Sequence, residues 1–344
     1  MQPALRNPAD SDLSLVLIGA RIGLEHGWSH IYSLSEQRDL FAQLRPGAQF
    51  GDGERFLSPP PMAWLAIPFA ELGMNAAYWL WLALSVAALS AAWWLAAPGL
   101  GRRRWLWLLG ALAWYPVLYS LALGQPASFV LLAVVAAWRL AEANRQYAAG
   151  AVLALTMLKP QLAIGVPLVL LVAGRWRIVA AFAITTAALA VASLIVIGRD
   201  GLSDYLSLLG EAQNVVNNSY FTLAYVFGLG VVVTVVRLVV VALAAAAAFR
   251  SRSSDSLAGL FALGLVAGAL AATYWHLQDY AILVGAAWLF ARDRRPGWQL
   301  LWLLAVALAA ELAWPIGPLP VLLALAVWFA FWLQPAPRPA AHAA

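Results

Sequence analysis

From residue 76 to residue 333 the sequence is a succession of apolar runs broken by short polar or proline-containing stretches. Many of the runs approach the ~20 residues that a helix needs to cross a ~30 Å hydrocarbon core. Backbone groups in lipid must be satisfied internally, and long apolar runs without strict alternation achieve this as helices. The pattern excludes an ordinary soluble domain. Composition agrees, with 63% hydrophobic residues, 11% charged residues and a mean hydropathy of +0.79. The expected fold class is all-α, a polytopic integral membrane protein.

The runs predict helices near 76–97, 104–122, 126–141, 147–158, 161–174, 177–198, 222–249, 256–274, 278–291, 298–313 and 317–333, about eleven transmembrane or membrane-penetrating segments. Those shorter than ~17 residues are expected to penetrate partway or to break near one face. Residues 1–75 mix proline, glycine and charge. They predict an extracytoplasmic first-loop region with amphipathic helices near 13–26 and 34–44, then a short interfacial or re-entrant helix opened by the prolines of "FLSPPPMAWLAIPFAEL" (56–72). Residues 76–334 then form a transmembrane helical domain, and 335–344 a short cytoplasmic tail. Met1–Ser11 lacks the apolar core of a signal peptide.

Threading the runs alternately through a membrane sorts the charges. Arg102 to Arg104, Arg139, Arg145, Arg175, Arg177, Arg250, Arg252, Arg292, Arg294, Arg295 and Arg338 fall on one side, and most of the acids on the other. Short cytoplasmic loops carry excess Lys and Arg, so the arginine side is expected to be cytoplasmic and the other periplasmic, extracellular or lumenal. Usage rich in alanine, arginine and tryptophan points to a GC-rich bacterial genome, hence to an inner or plasma membrane. Although the formal charge is +5, the basic residues sit in short clusters between spans, so no nucleic-acid partner is expected. The absence of cysteine removes disulfides, thiolate metal sites and cysteine nucleophiles.

Lys159, in "TMLKPQLAIGVPLVLLVAGRWR" (156–177), runs against this sorting. A lone cation at a membrane boundary is costly, and anion binding would give it a purpose; a lysine snorkelling from a helix end is the plain alternative. The same face is expected to hold Asp12 and Arg21, Pro59 to Pro61, Gly124-Gln125-Pro126, Lys159-Pro160-Gln161, and His276, Gln278 and Asp279 of "TYWHLQDYAIL". Each group alone reads as a solvated helix end, but several on one face favour a shared cavity. A carboxylate such as Asp12 can deprotonate an alcohol, and Lys159 with Arg21 can hold a phosphate. His276 and Asp279, three apart, can bind a sugar or phosphate, orient each other or hold a metal. His26 and His30 have the spacing of a zinc helix without a clear third ligand, so no metal site is assigned. Trp64, Trp114 or Trp275 could stack on a sugar ring.

Four blocks carry a family likeness: "DLSLVLIGARIGLEHGWSHIY" (12–32), "FLSPPPMAWLAIPFAEL" (56–72), the stretch from "LALGQPASF" to "GRWR" (121–177), and "ATYWHLQDYAILVGAAWL" (272–289). In this order they resemble glycosyltransferase family 87, of the multi-pass GT-C class, which includes polyprenol-phosphate-mannose-dependent α-mannosyltransferases. The resemblance implies a membrane hexosyltransferase that moves a hexose, mannose as first choice, from a polyprenyl-phosphate sugar to an extracytoplasmic lipid or glycan acceptor by inverting displacement. In such enzymes an acidic residue of the first extracytoplasmic loop is thought to be the base, and Asp12 falls at that place. On charge and placement, Lys159 and Arg21 would bind the donor phosphate, and Gln125, Gln161, His276, Gln278 and Asp279 would position sugar or acceptor. No cofactor is called for, and a divalent metal is left open. Family members carry a helix ahead of the acidic loop, whereas eleven residues precede Asp12 here, so either a start site placed too late or a lost helix is expected. Leu15 to Ile18 stand where tyrosines often follow the acid. The rival readings are a multi-pass transporter or lipid flippase, which would favour internal repeats and polar sites at mid-depth, and a non-catalytic membrane protein of the same family.

Overall fold

The computed structural model describes residues 5, 7–252, 256–293 and 295–334, and of residues 214 and 216 the backbone only. The expected tail at 335–344, with Arg338, and Arg294 lie outside them. The fold is 79% helical, and no strand occurs among the described residues. The helices are α1 (Leu13–Glu25), α2 (Leu34–Leu44), α3 (Pro60–Ala70), α4 (Met74–Ala96), α5 (Arg102–Ala113), α6 (Tyr115–Ala122), α7 (Ala127–Glu142), α8 (Gln146–Leu153), α9 (Gly165–Val172), α10 (Trp176–Asn214), α11 (Val231–Arg250), α12 (Leu257–Ala271), α13 (Leu283–Arg292), α14 (Gly297–Ile316) and α15 (Leu319–Ala330), with single turns between some of them.

Each apolar run expected to be helical contains a helix, but the count of about eleven spans is not confirmed. Among the described residues four helices are long and apolar enough to cross a membrane: α4, α10, α11 and α14. The pair α5 and α6, bent by 60°, would make a fifth. The other runs are divided by backbone that hydropathy does not register. 3-10 turns at Ala154–Leu158 and Pro160–Leu162 follow α8, and another at Leu277–Ile282 precedes α13. Prolines contribute, because Pro116 and Pro160 have no amide to extend a preceding helix. Within α10 the backbone breaks at Gly198, with φ 66° and ψ −168°.

Two large apolar cores result among the described residues, beside a small cluster of Leu223, Ala224 and Val233. The larger is built where α4, α7, α8 and α9 pack with α12 to α15. The smaller joins α1, α2 and α3 to Tyr78 and Trp81 of α4 and to Ile197 and Leu208 of α10. The expected helices at 13–26 and 34–44 are thus present, and their apolar faces are the reason residues 7–70 pack against the bundle. In α1, "LSLVLIGARIGLE" buries ten of its thirteen residues.

One contact in the larger core fixes the chain on both sides of the candidate site. Gly165 of α9 lies against Gly264 and Gly268 of α12, where a Cβ on Gly165 would come within 2.2 Å of the Gly264 carbonyl oxygen. A Cβ on Gly264 would meet the Val166 Cα at 2.5 Å. Small residues spaced in this way let two apolar helices touch backbone to backbone. The segment that follows Lys159 is thereby held to the helix that leads to His276.

Hydrogen bonds give the direction of three parallel segments. Tyr78, early in α4, donates to the Ala122 carbonyl at 2.7 Å, next to the start of α7. At the other end of α4, the Ala96 and Ala97 carbonyls accept from Arg292, the last residue of α13. One end of the bundle therefore gathers Tyr78, Gln125 and Asp279, and the opposite end gathers Ala96, Arg139 and Arg292.

Candidate active site

Asp12 occupies the cap position of α1. Its carbonyl accepts from the Leu15 and Val16 amides at 3.1 and 3.4 Å, while its carboxylate makes no capping bond. The Leu13 amide donates to the Leu123 carbonyl at 3.3 Å, which docks the start of α1 on the end of α6. Gly124 makes this docking possible. Its φ of +68° is one that side chains rarely adopt, and a Cβ there would lie 2.8 Å from that of Leu13.

The next residue, Gln125, hydrogen-bonds in both directions. Its Nε2 donates to Asp12 Oδ2, and its Oε1 accepts from Lys159 Nζ at 2.6 Å. Chemistry fixes this orientation, because an ammonium only donates and a carboxylate only accepts. Lys159 lies between two 3-10 turns with φ −148° and ψ 78°, outside the α region that the following proline disfavours. Its ammonium also donates to Asp279 Oδ1, forming an ion pair. The other oxygen of Asp279 accepts from the His276 amide at 3.0 Å and lies 4.0 Å from His276 Nδ1. One polar chain thus runs Asp12, Gln125, Lys159, Asp279, His276, drawing on four separate parts of the sequence.

Its electrostatics are uneven. Burial pushes the Asp12 carboxyl up from its ordinary 3.8, against the Gln125 hydrogen bond and the charges of Lys159 and Arg45. A carboxylate made more basic in this way is a better proton acceptor near neutral pH. His276 is pushed down by burial, with Asp279 opposing and Lys159 adding, so the imidazole is neutral at pH 7. Tyr274 packs edge-on against His276 at 4.9 Å between ring centroids. Burial, then Asp279 and Asp12, push its phenol up, so it remains a hydrogen-bond donor.

Arg45 was not anticipated. It donates to the Ser11 carbonyl and to Ser14 Oγ, each at 2.7 Å, and to Glu54 at 2.7 Å, clasping the turn that carries Asp12. A signal was available in the sequence, since Arg45 is another cation on the expected extracytoplasmic side, as Lys159 is.

The structure brings Asp12, Gln125, Lys159, His276 and Asp279 together. It does not bring Arg21 to them. Arg21 stands nine residues along α1, half a turn round and about 13 Å away by helical rise, and its Nε donates to the Ala70 carbonyl at 3.0 Å. Gln161, partly exposed in the turn after Lys159, and Gln278, buried beside Asp279, make no hydrogen bond to the chain. Asp279 is fully buried, with one carboxylate oxygen in its ion pair with Lys159. Trp275 and Trp114 are buried, the latter donating to the Ala307 carbonyl at 3.1 Å, so neither presents a face to a sugar; Trp64 is partly exposed. His26 Nδ1 lies 3.2 Å from Glu36, and the described residues contain no cluster of three or more metal-ligating side chains.

No curated protein and no solved structure matches the chain. A family model, glycosyltransferase family 87, matches residues 56–273. The matched segment contains Gln125, Lys159 and Gln161, while Asp12, Arg21, His276, Gln278 and Asp279 lie outside it. Because the match covers more than half of the 344 residues, the chain belongs to glycosyltransferase family 87.

Proposed function

We propose that this protein transfers a hexose, mannose in the first instance, from a polyprenyl-phosphate sugar to a lipid or glycan acceptor on the extracytoplasmic face of a bacterial plasma membrane. Family membership and the apolar helices support a membrane-embedded transferase with a sugar donor and an acceptor. The observation that carries the reading is the Asp12 carboxylate, which uses one oxygen on Gln125 and keeps Oδ1 without a hydrogen bond among the described residues.

In this mechanism Asp12 Oδ1 takes the proton of the acceptor hydroxyl as its oxygen bonds to the anomeric carbon. The bond from that carbon to the phosphate oxygen breaks, and its electron pair leaves on the lipid phosphate, inverting the anomeric configuration. Lys159 commits two of its three N–H donors to Gln125 and Asp279, and the third is available to a phosphate oxygen. Asp279 and Gln125 hold the ammonium in place, while neutral His276 and Tyr274 supply donors for sugar hydroxyls. Arg21 has no part in this scheme, and it is written without a cofactor.

The test is transfer of labelled mannose from polyprenyl-phosphate mannose to membrane acceptors by the purified parent and by Asp12→Ala and Asp12→Asn. Loss of transfer with intact protein in both variants is expected. Transfer by Asp12→Ala at the parent's rate would overturn the assignment.

A further inference from the structure

At the opposite end of the bundle, three arginines from separate helices line one cavity of about 330 Å³: Arg104 of α5, Arg139 of α7 and Arg292 of α13, walled by Trp94 and Leu95 of α4. This cavity is distinct from the Asp12 site. Gln125 and Arg139 stand at opposite ends of α7, about 21 Å apart by helical rise.

The three guanidiniums are differently engaged. Arg292 spends Nε and Nη2 on the Ala96 and Ala97 carbonyls, at 2.5 and 2.9 Å, which caps the end of α4. Arg104 donates to the Trp94 carbonyl and lies over the Trp93 and Trp94 rings at 5.3 and 4.6 Å; its Nε is buried and has no acceptor. Arg139, an exposed side chain, lies over the Trp138 ring at 5.4 Å and has neither a hydrogen-bond acceptor nor an ion-pair partner among the described residues. Burial first, then the charges of Arg139 and Arg104, push the Arg292 guanidinium down from its ordinary value, with Glu142 opposing. Three like charges are thus held around one space with Arg139 uncommitted, an arrangement that favours an anion between them.

The walls indicate where that anion comes from. Trp94 is 64% exposed, and Trp105, Leu106 and Leu109 of α5 are exposed as well. In a membrane protein such a surface faces acyl chains, with tryptophan at the level of the headgroups. Arginine pockets at the ends of spans on the cytoplasmic side suit anionic headgroups, which reach them laterally at high local concentration. We propose that Arg104, Arg139 and Arg292 form a binding site for a phosphate group, presented by an anionic phospholipid of the surrounding leaflet. The site is a property of the scaffold and stands whether or not the catalytic proposal does.

The test is native mass spectrometry of the full chain in detergent, titrated with short-chain phosphatidylglycerol, with zwitterionic phosphatidylcholine, and with phosphatidylglycerol in competition with inorganic phosphate. Parent, Arg139→Gln and Arg177→Gln are compared. Arg177 is an exposed arginine whose recorded contact is the Trp176 ring, so it reports general basic charge. Phosphatidylglycerol should bind the parent in preference to phosphatidylcholine, and Arg139→Gln should weaken it about five-fold, the weight of one arginine near a membrane surface, with Arg177→Gln near parental. Weak competition by inorganic phosphate confirms the lipid source. Full competition keeps the phosphate site but overturns its lipid occupant. Equal binding by parent and Arg139→Gln, or equal losses in both variants, overturns the site.

Discussion

Lys159 and Asp279 form an ion pair in which the carboxylate is fully buried and the lysine side chain is 11% exposed. Taking two charges out of water is expensive, and the expense is tolerable only while both are present and hydrogen-bonded. Lys159→Met should therefore destabilise the protein by about 3 kcal/mol, because it strands Asp279 in the apolar interior. Combining it with Asp279→Leu should recover most of that loss without restoring transfer. Thermal unfolding of both variants in detergent checks this, and a double variant less stable than Lys159→Met would refute the pairing.

In the proposed mechanism Asp12 sets the acid side of the pH profile. As a base it must be ionised, and its carboxyl is pushed above the ordinary 3.8, so kcat/KM should fall on acidification at a higher pH than an ordinary carboxylate would give. The Gln125 hydrogen bond opposes that rise. Gln125→Ala should move the acid limb to still higher pH, measurable in whatever transfer the variant retains; a limb that stays or moves down contradicts the coupling.

The same carboxyl carries a stability consequence. A carboxyl raised on folding contributes stability that is present below the ordinary value and is lost as pH rises through the folded-state value, so ionised Asp12 weakens the fold at neutral pH. Asp12→Asn should abolish transfer yet raise the melting temperature at pH 7 by about 2 °C. The advantage should shrink toward pH 4. A variant that melts lower than the parent at pH 7 would argue against the burial of this group.

Gly124 tests whether docking of α1 matters to the chemistry. Gly124→Ala forces a side chain into a left-handed conformation and against Leu13, at a cost of about 1–3 kcal/mol. Because the displaced residue adjoins both Asp12 and Gln125, kcat should fall far more than KM rises. Unaltered kcat in a destabilised variant would show that the contact serves packing alone.

Much of the helical layout was legible because apolar periodicity reports it: α1 and α2 lie where 13–26 and 34–44 were expected, and each later run holds a helix. The number of crossings was not, because hydropathy is blind to the 3-10 turns around Lys159 and before α13, where the backbone shortens a run without making it more polar. For the site, the sequence supplied candidate groups but not their pairing. Lys159 stood out as an isolated cation, yet nothing local indicates that Asp279, 120 residues later, neutralises it. Arg21 and Arg45 show the limit most directly. Both are arginines of the same N-terminal region, and only tertiary packing sends one to Ala70 and the other to the turn of Asp12.

The polar chain from Asp12 to His276 also bears on biosynthesis. The groups linked to the Asp12 carboxylate through the polar chain are made at positions 125, 159 and 279, so the first of the set to be synthesised waits for the last. A nascent protein inserted as far as α10 carries Asp12 without the Asp279 that fixes Lys159. On the proposed mechanism the polar chain is completed only when most of the helices have been made, and a chain truncated before Asp279 would lack the partner that holds Lys159.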